Sequence, residues 1–111
     1  MIDFNEYQKK AATTSLNTKI GDCEFLYPVL GLANEAGEVC GKIKKLFRDK
    51  GGKVDEEFLK MIKAELGDVQ WYLAETCTKF GLSLEEVAAE NIDKLFSRKE
   101  RGVIKGSGDT R

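Results

Sequence analysis

Proline occurs once in these 111 residues, at Pro28, and the only pair of adjacent glycines is Gly51-Gly52. So few breaks leave long stretches in which apolar residues recur at helical spacing rather than in alternation, and the chain is expected to be all-α. The first helix is predicted to start at Asp3, which forms a capping box with Glu6, and to carry Phe4, Tyr7, Ala11 and Leu16 before fading near Asn17. The second begins near Phe25, tolerates Pro28 in its first turn, and runs through Leu32, Ala36, Val39, Ile43 and Leu46 to about Arg48. Gly51-Gly52 ends it. The third starts near Asp55 and carries Phe58, Ile62, Leu66, Val69 and Leu73 to Phe80, with Gly81 as its stop. The fourth opens on a second capping box, Ser83 with Glu86, and runs through Leu84, Val87, Ala88, Leu95 and Phe96 to about Arg101. Residues 102–111 hold three glycines and no helical period, so they read as an irregular tail.

A chain of this length supports one modest core, and four helices on their own leave apolar surface uncovered. The expectation is therefore a single four-helix bundle-like domain over residues 1–111 that assembles as a homo-oligomer, a homodimer or a dimer of dimers.

Histidine is absent. That removes imidazole acid–base chemistry, Ser/His and Cys/His nucleophiles and every metal site that needs a His. Cys23, Cys40 and Cys77 are an odd number without close spacing, which argues against a disulfide framework or a CxxC zinc site. Cys40 and Cys77 are expected as reduced core residues. Lys and Arg number 18 against 19 Asp and Glu, a net charge of -1, so no overall field favours a nucleic-acid polymer or an anionic membrane. The apolar runs fall far short of the roughly 20 residues needed to cross a bilayer, and residues 1–10 are too polar for a signal peptide. A cytoplasmic protein is expected.

Two acid pairs stand out against this background. Glu35 and Glu38 on the second helix, and Glu65 and Asp68 on the third, are each spaced i, i+3 and so share a helix face. The midpoint of 35 and 68 and the midpoint of 38 and 65 are both 51.5, at the double glycine, so an antiparallel hairpin brings all four acids to one level. That level lies about 20 Å from the turn, at about 1.5 Å per residue. Facing carboxylates either raise one another's pKa or hold a divalent cation. All-oxygen ligands favour magnesium, manganese or calcium over zinc, and the missing ExxH argues against a di-iron centre. The plainer alternative is that these acids are ordinary solvated helix faces.

Carboxylate-held magnesium usually keeps positions open for phosphate oxygens, which directs attention to nearby cations. Lys42 and Lys45 follow Glu38 at i+4 and i+7. On the fourth helix Asn91, Lys94 and Arg98 form one stripe at i, i+3 and i+7, suited to phosphate and sugar contacts rather than to the fold. The glycine-rich tail has backbone N–H groups able to close over a phosphate. Tyr72 shares the face of Asp68 and is favoured over Trp71 as a ring to stack on a base.

At these residues the sequence resembles the MazG-like nucleotide pyrophosphohydrolases, the all-α nucleoside triphosphate pyrophosphatase superfamily. Leu32-Ala-Asn-Glu-Ala-Gly-Glu-Val39 with Lys42-Ile-Lys-Lys45 is similar to the first acidic helix of that family, and Glu65-Leu-Gly-Asp68 to its ExxD helix. Asn91-Ile-Asp-Lys-Leu-Phe-Ser-Arg98, followed by Arg101-Gly102, is similar to its C-terminal substrate-binding segment. The resemblance implies the MazG fold and magnesium-dependent hydrolysis of a nucleoside triphosphate to the monophosphate and pyrophosphate, with manganese as a possible substitute, in nucleotide-pool house-cleaning. It implies Glu35, Glu38, Glu65 and Asp68 as metal ligands, and Lys42, Lys45, Asn91, Lys94 and Arg98 as contacts to phosphates and sugar. Glu35 or Glu38 would accept the proton of the attacking water. In one respect the sequence departs from the family: Asn34 stands where the leading Glu of EExxE would be, and an amide carries no charge and is no general base. The number of metal ions stays open for that reason.

Two alternatives share the superfamily, a phosphoribosyl-ATP pyrophosphatase and a strict dUTP or dCTP pyrophosphatase. One from another class is a non-enzymatic helical dimerisation module whose acids bind a structural cation.

Overall fold

A computed structural model describes residues 1–111. Four helices form: α1 (Phe4–Ala12), α2 (Leu26–Lys50), α3 (Glu56–Lys79) and α4 (Leu84–Glu100). There is no strand, only an isolated bridge between Ile20 and Cys23 in the connection before α2. The all-α, four-helix expectation holds.

Side chains close three of the four N-termini. Asp3, Asp55 and Ser83 accept hydrogen bonds from the backbone N–H groups of Glu6, Phe58 and Glu86 at 2.8, 2.8 and 3.2 Å, each satisfying a donor that the first turn leaves free. Helix α2 has no side-chain cap. Its third residue is Pro28, and the N–H that proline lacks is one that no carbonyl within the helix would have met.

Helix α1 stops at Ala12 rather than running on to Asn17. The hydroxyls of Thr13 and Thr14 donate to the carbonyls of Lys10 and Ala11 at 2.6 and 2.7 Å, and such local side-chain bonds compete with helix continuation. Leu16, expected on the apolar side of this helix, is 91% exposed in the loop beyond it.

Between α2 and α3 the backbone turns through Gly51 at φ 60° and Gly52 at φ 81°, left-handed values that a Cβ opposes. The Gly52 N–H closes α2 on the carbonyl of Leu46 at 3.1 Å, and Lys50 Nζ reaches the Asp55 carboxylate at 3.1 Å. The two long helices thus run back antiparallel.

Helix α3 touches all three other helices, whereas α2 touches only α3. The innermost cluster is Ala74, Cys77 and Leu84, with Tyr7 packed against it. Cys77 is buried as expected, but Cys40 is exposed, because α3 is the only helix that packs against α2. Only nine of 111 residues are buried, while Leu30, Phe47, Leu59, Leu66 and Phe96 are exposed. The radius of gyration is 17.0 Å. A compact domain of this length would have about 13 Å. One chain therefore leaves a large apolar area open to water, far more than the scattered surface hydrophobes of a monomer.

Candidate metal and nucleotide site

The hairpin register brings acids from α2 and α3 together. Glu35, Glu65 and Asp68 each offer a carboxylate oxygen within 4.8 Å of the others. Glu38, the fourth acid of the expected set, is exposed one turn further along α2 and lies outside this group. Its charge is still felt. Partial burial, then the negative charges of Asp68, Glu65 and Glu38, hold the Glu35 carboxyl above the usual carboxylate range.

Within the cluster one protein cation answers these charges: Lys42 Nζ lies 3.7 Å from Glu65 Oε1, both side chains largely shielded. Three carboxylates against one ammonium leave negative charge in excess, and the donors are all hard oxygens. That set fits a divalent cation of the magnesium, manganese or calcium kind. Lys42 and Lys45 also line a cavity of about 280 Å³ on the turn side of the cluster, together with Leu46, Asp49, Phe58 and Met61.

On the other side, Glu35 and Asp68 share a cavity of about 370 Å³ with Thr14, Trp71 and Tyr72. Tyr72 is where its spacing predicts. Trp71 lines the same cavity, because a residue at i+3 from Asp68 is as much its neighbour as one at i+4. Its indole Nε1 donates to Thr14 Oγ1 at 2.8 Å, and the Trp71 and Tyr72 rings meet edge to face at 4.9 Å. Burial, the adjacent Tyr27 hydroxyl and the charges of Glu35 and Asp68 push the Tyr72 phenol up. Gly31 is what lets this ring approach α2, since a Cβ at that position would overlap it.

The stripe on α4 is arranged differently from the acids. Asn91 is exposed and lines a separate cavity with Phe4, Gln70, Leu73 and Leu84, so water can serve its amide. Lys94 pairs with Asp109 at 3.1 Å. Arg98 is 5% exposed and donates to the Asp109 carbonyl at 2.9 Å and to its carboxylate at 3.2 Å. The tail is irregular, as expected, but it folds back along α4, held further by Arg101 on the Arg111 carbonyl and Arg111 on the carbonyls of Val103 and Ile104. None of Asn91, Lys94 and Arg98 lines the cavity of the acid cluster.

Sequence reasoning passed over three residues of this region. Thr14 and Tyr27 sit in or beside a loop without periodicity, and nothing in their spacing marks them. Glu75 carried a signal: it is i+7 from Asp68, hence on the same face, yet it falls between the core residues Ala74 and Cys77.

A profile of the MazG nucleotide pyrophosphohydrolase domain matches residues 26–103. The chain belongs to this family. The matched MazG region begins with α2 and ends just past α4, so the acid cluster, Lys42, Lys45, Tyr72 and the α4 stripe all lie within it. Over 109 residues the chain is 44% identical to the Gene 37 protein of Mycobacterium phage L5, an alignment covering 95% of this chain and 96% of that protein. No solved structure matches it.

Proposed function

We propose that this chain is a magnesium-dependent nucleoside triphosphate pyrophosphohydrolase, releasing pyrophosphate and a nucleoside monophosphate. The convergence of Glu35, Glu65 and Asp68 within 4.8 Å, opening on the cavity walled by Trp71 and Tyr72, carries this reading. Membership of the MazG family supports it.

In this proposal Glu35, Glu65 and Asp68, with Glu38 one turn away, hold the cation, and Mn²⁺ can take its place. When bound, magnesium supplies neutralisation of phosphate charge and acidification of water. The Glu35 carboxylate accepts the proton of the attacking water, with Glu38 as the other candidate base. Lys42 holds Glu65 in place and, with Lys45, faces the polyphosphate, while the rings of Tyr72 and Trp71 exclude water from the sugar and base. Little covalent chemistry is asked of the protein, since positioning and electrostatics dominate phosphoryl transfer.

Asn91, Lys94 and Arg98 are assigned to phosphate and sugar through a second copy. α2 lacks any contact with α4 in one chain, and a homodimer, or a dimer of dimers, would cover the open apolar area and bring α4 of one copy to the hairpin of another. No helix is long and apolar enough to cross a membrane, and the nucleotide pool of the cytoplasm is the proposed place of action.

Pyrophosphate release from a nucleotide panel that includes phosphoribosyl-ATP, with magnesium and with chelator, tests the reading. Magnesium-dependent release is expected. Metal binding that raises the melting temperature without any release would favour the dimerisation module with a structural cation.

A further inference from the structure

A cavity of about 180 Å³ continues from the acid site, with Thr14, Trp71 and Tyr72 in the walls of both. Tyr27, Pro28, Glu75 and Lys79 complete its lining on the helical side. Asp68, Tyr72 and Glu75 stand at i, i+4 and i+7 on α3, which sets Glu75 about 10 Å along the helix from the metal ligand, at 1.5 Å per residue. A nucleotide with its phosphates at Asp68 and its sugar along Tyr72 would direct its base toward Glu75, whose carboxylate it reaches when the loop of residues 14–18 yields.

Glu75 is 4% exposed, and neither of its carboxylate oxygens has solvent contact or a hydrogen-bond partner. The nearest cation in sequence does not serve it. Lys79 Nζ is engaged by Asn17 Oδ1 at 2.6 Å instead. Burying a carboxylate without a donor is among the costlier things a fold can do, so the missing donors are expected to come from outside the chain.

Resting on the nucleoside triphosphate reading, we propose that this cavity receives the base and that Glu75 selects guanine. An ionised carboxylate only accepts hydrogen bonds, and it accepts best from two parallel N–H groups. Guanine presents such a pair, N1–H beside N2–H. Adenine sets an acceptor beside its amino group, cytosine does the same, and uracil and thymine flank their single N3–H with two carbonyls. Each of these turns at least one lone pair toward the carboxylate. Three aromatic rings, Tyr27, Trp71 and Tyr72, line the cavity and offer surface on which a planar base can stack. The ribose and deoxyribose forms share this base edge, and the assay separates them.

Two measurements decide it. Pyrophosphate release is followed with GTP, dGTP, ITP, dITP, dATP, dCTP and dUTP on the full chain and on Glu75→Gln. Binding of GMP, IMP, AMP and CMP is followed by calorimetry. Guanine nucleotides should show the highest kcat/KM, with a loss of tenfold or more for the inosine forms, which differ only by the 2-amino group. In Glu75→Gln the guanine-to-inosine ratio should fall toward one. A wild-type preference for any other base, or an unchanged ratio in the variant, overturns the assignment. The monophosphates in wild-type protein need neither turnover nor a folded variant. Guanine-selective binding without hydrolysis sinks the hydrolase reading alone, whereas hydrolysis with no preference of GMP over IMP sinks the Glu75 assignment alone.

Discussion

Arg98 and Asp109 meet at 3.2 Å, the guanidinium buried against α4 and the carboxylate in solvent on the returning tail. Asp109 thus occupies the two cations, Lys94 and Arg98, that the sequence assigns to phosphate. Hydrogen bonds from Lys94 and then Arg98 hold its carboxyl below the usual Asp range. A lowered folded-state pKa means that tail docking is favoured above the ordinary Asp value and is lost as pH falls through the lowered one. In Asp109→Ala the tail should loosen, keeping only the backbone-carbonyl bonds from Arg98 and Arg101, and if Lys94 serves phosphate the KM for the triphosphate should drop. NMR signals of residues 103–111 and steady-state kinetics check both.

The same arrangement separates two substitutions that spacing alone treats as equivalent. Lys94→Ala removes a partly exposed cation and should weaken substrate binding by about 1.5 to 3 kcal/mol, tenfold or more, with little change in melting temperature. Arg98→Ala also strips the tail of its buried anchor and should cost about 1 to 3 kcal/mol of stability besides. Kinetics and melts on both variants test this, and unchanged kinetics for Lys94→Ala would remove the α4 stripe from the substrate site.

Glu35→Gln should abolish turnover, by about a hundredfold or more if Glu35 is the base, while leaving the metal-free fold intact or firmer. Its raised folded-state pKa means the native state holds the proton more tightly than the unfolded chain does. The stability so gained is present below the usual carboxylate pKa and is lost as pH rises through the raised value. Metal-free wild type should therefore lose more stability than Glu35→Gln between mildly acid and neutral pH. Parallel melts across that interval would show the two curves converging toward acid.

Light scattering should give a mass of at least two chains, and melting temperatures should rise with protein concentration. A concentration-independent mass of one chain would contradict the proposed assembly and, with it, the route by which α4 reaches the acids.

Gly31→Ala places a Cβ inside the present position of the Tyr72 ring. Alanine is the better helix former by about 1 kcal/mol, but the overlap costs about 1 to 3 kcal/mol and moves Tyr72. A lower melting temperature together with a higher KM is expected.

The features legible in the sequence are those set by neighbours along the chain. Asp3, Asp55 and Ser83 mark helix starts through a bond three residues on, and the Gly51-Gly52 turn fixes the register that joins Glu35 to Glu65 and Asp68. The end of α1 was not legible, because the Thr13 and Thr14 hydroxyls compete with the helix only once the backbone is there to accept. The exposure of Cys40 depends on which helices cover α2, and periodicity says nothing of that. Lys94 and Arg98 lie on the predicted face, but their partner is a residue of an aperiodic tail. For Glu75 the face was readable, while its burial depends on the loop of residues 14–18 and on Tyr27 and Pro28 closing beside it.

Trp71 is the one tryptophan of the chain, and it stands in the wall shared by the acid site and the adjoining cavity, with its indole N–H on Thr14. Whatever enters either space alters the polarity around that indole or breaks its bond to the loop. The protein therefore carries its own optical reporter: the intrinsic emission of unlabelled, unmodified chain should register metal, nucleotide and loop opening in a single cuvette.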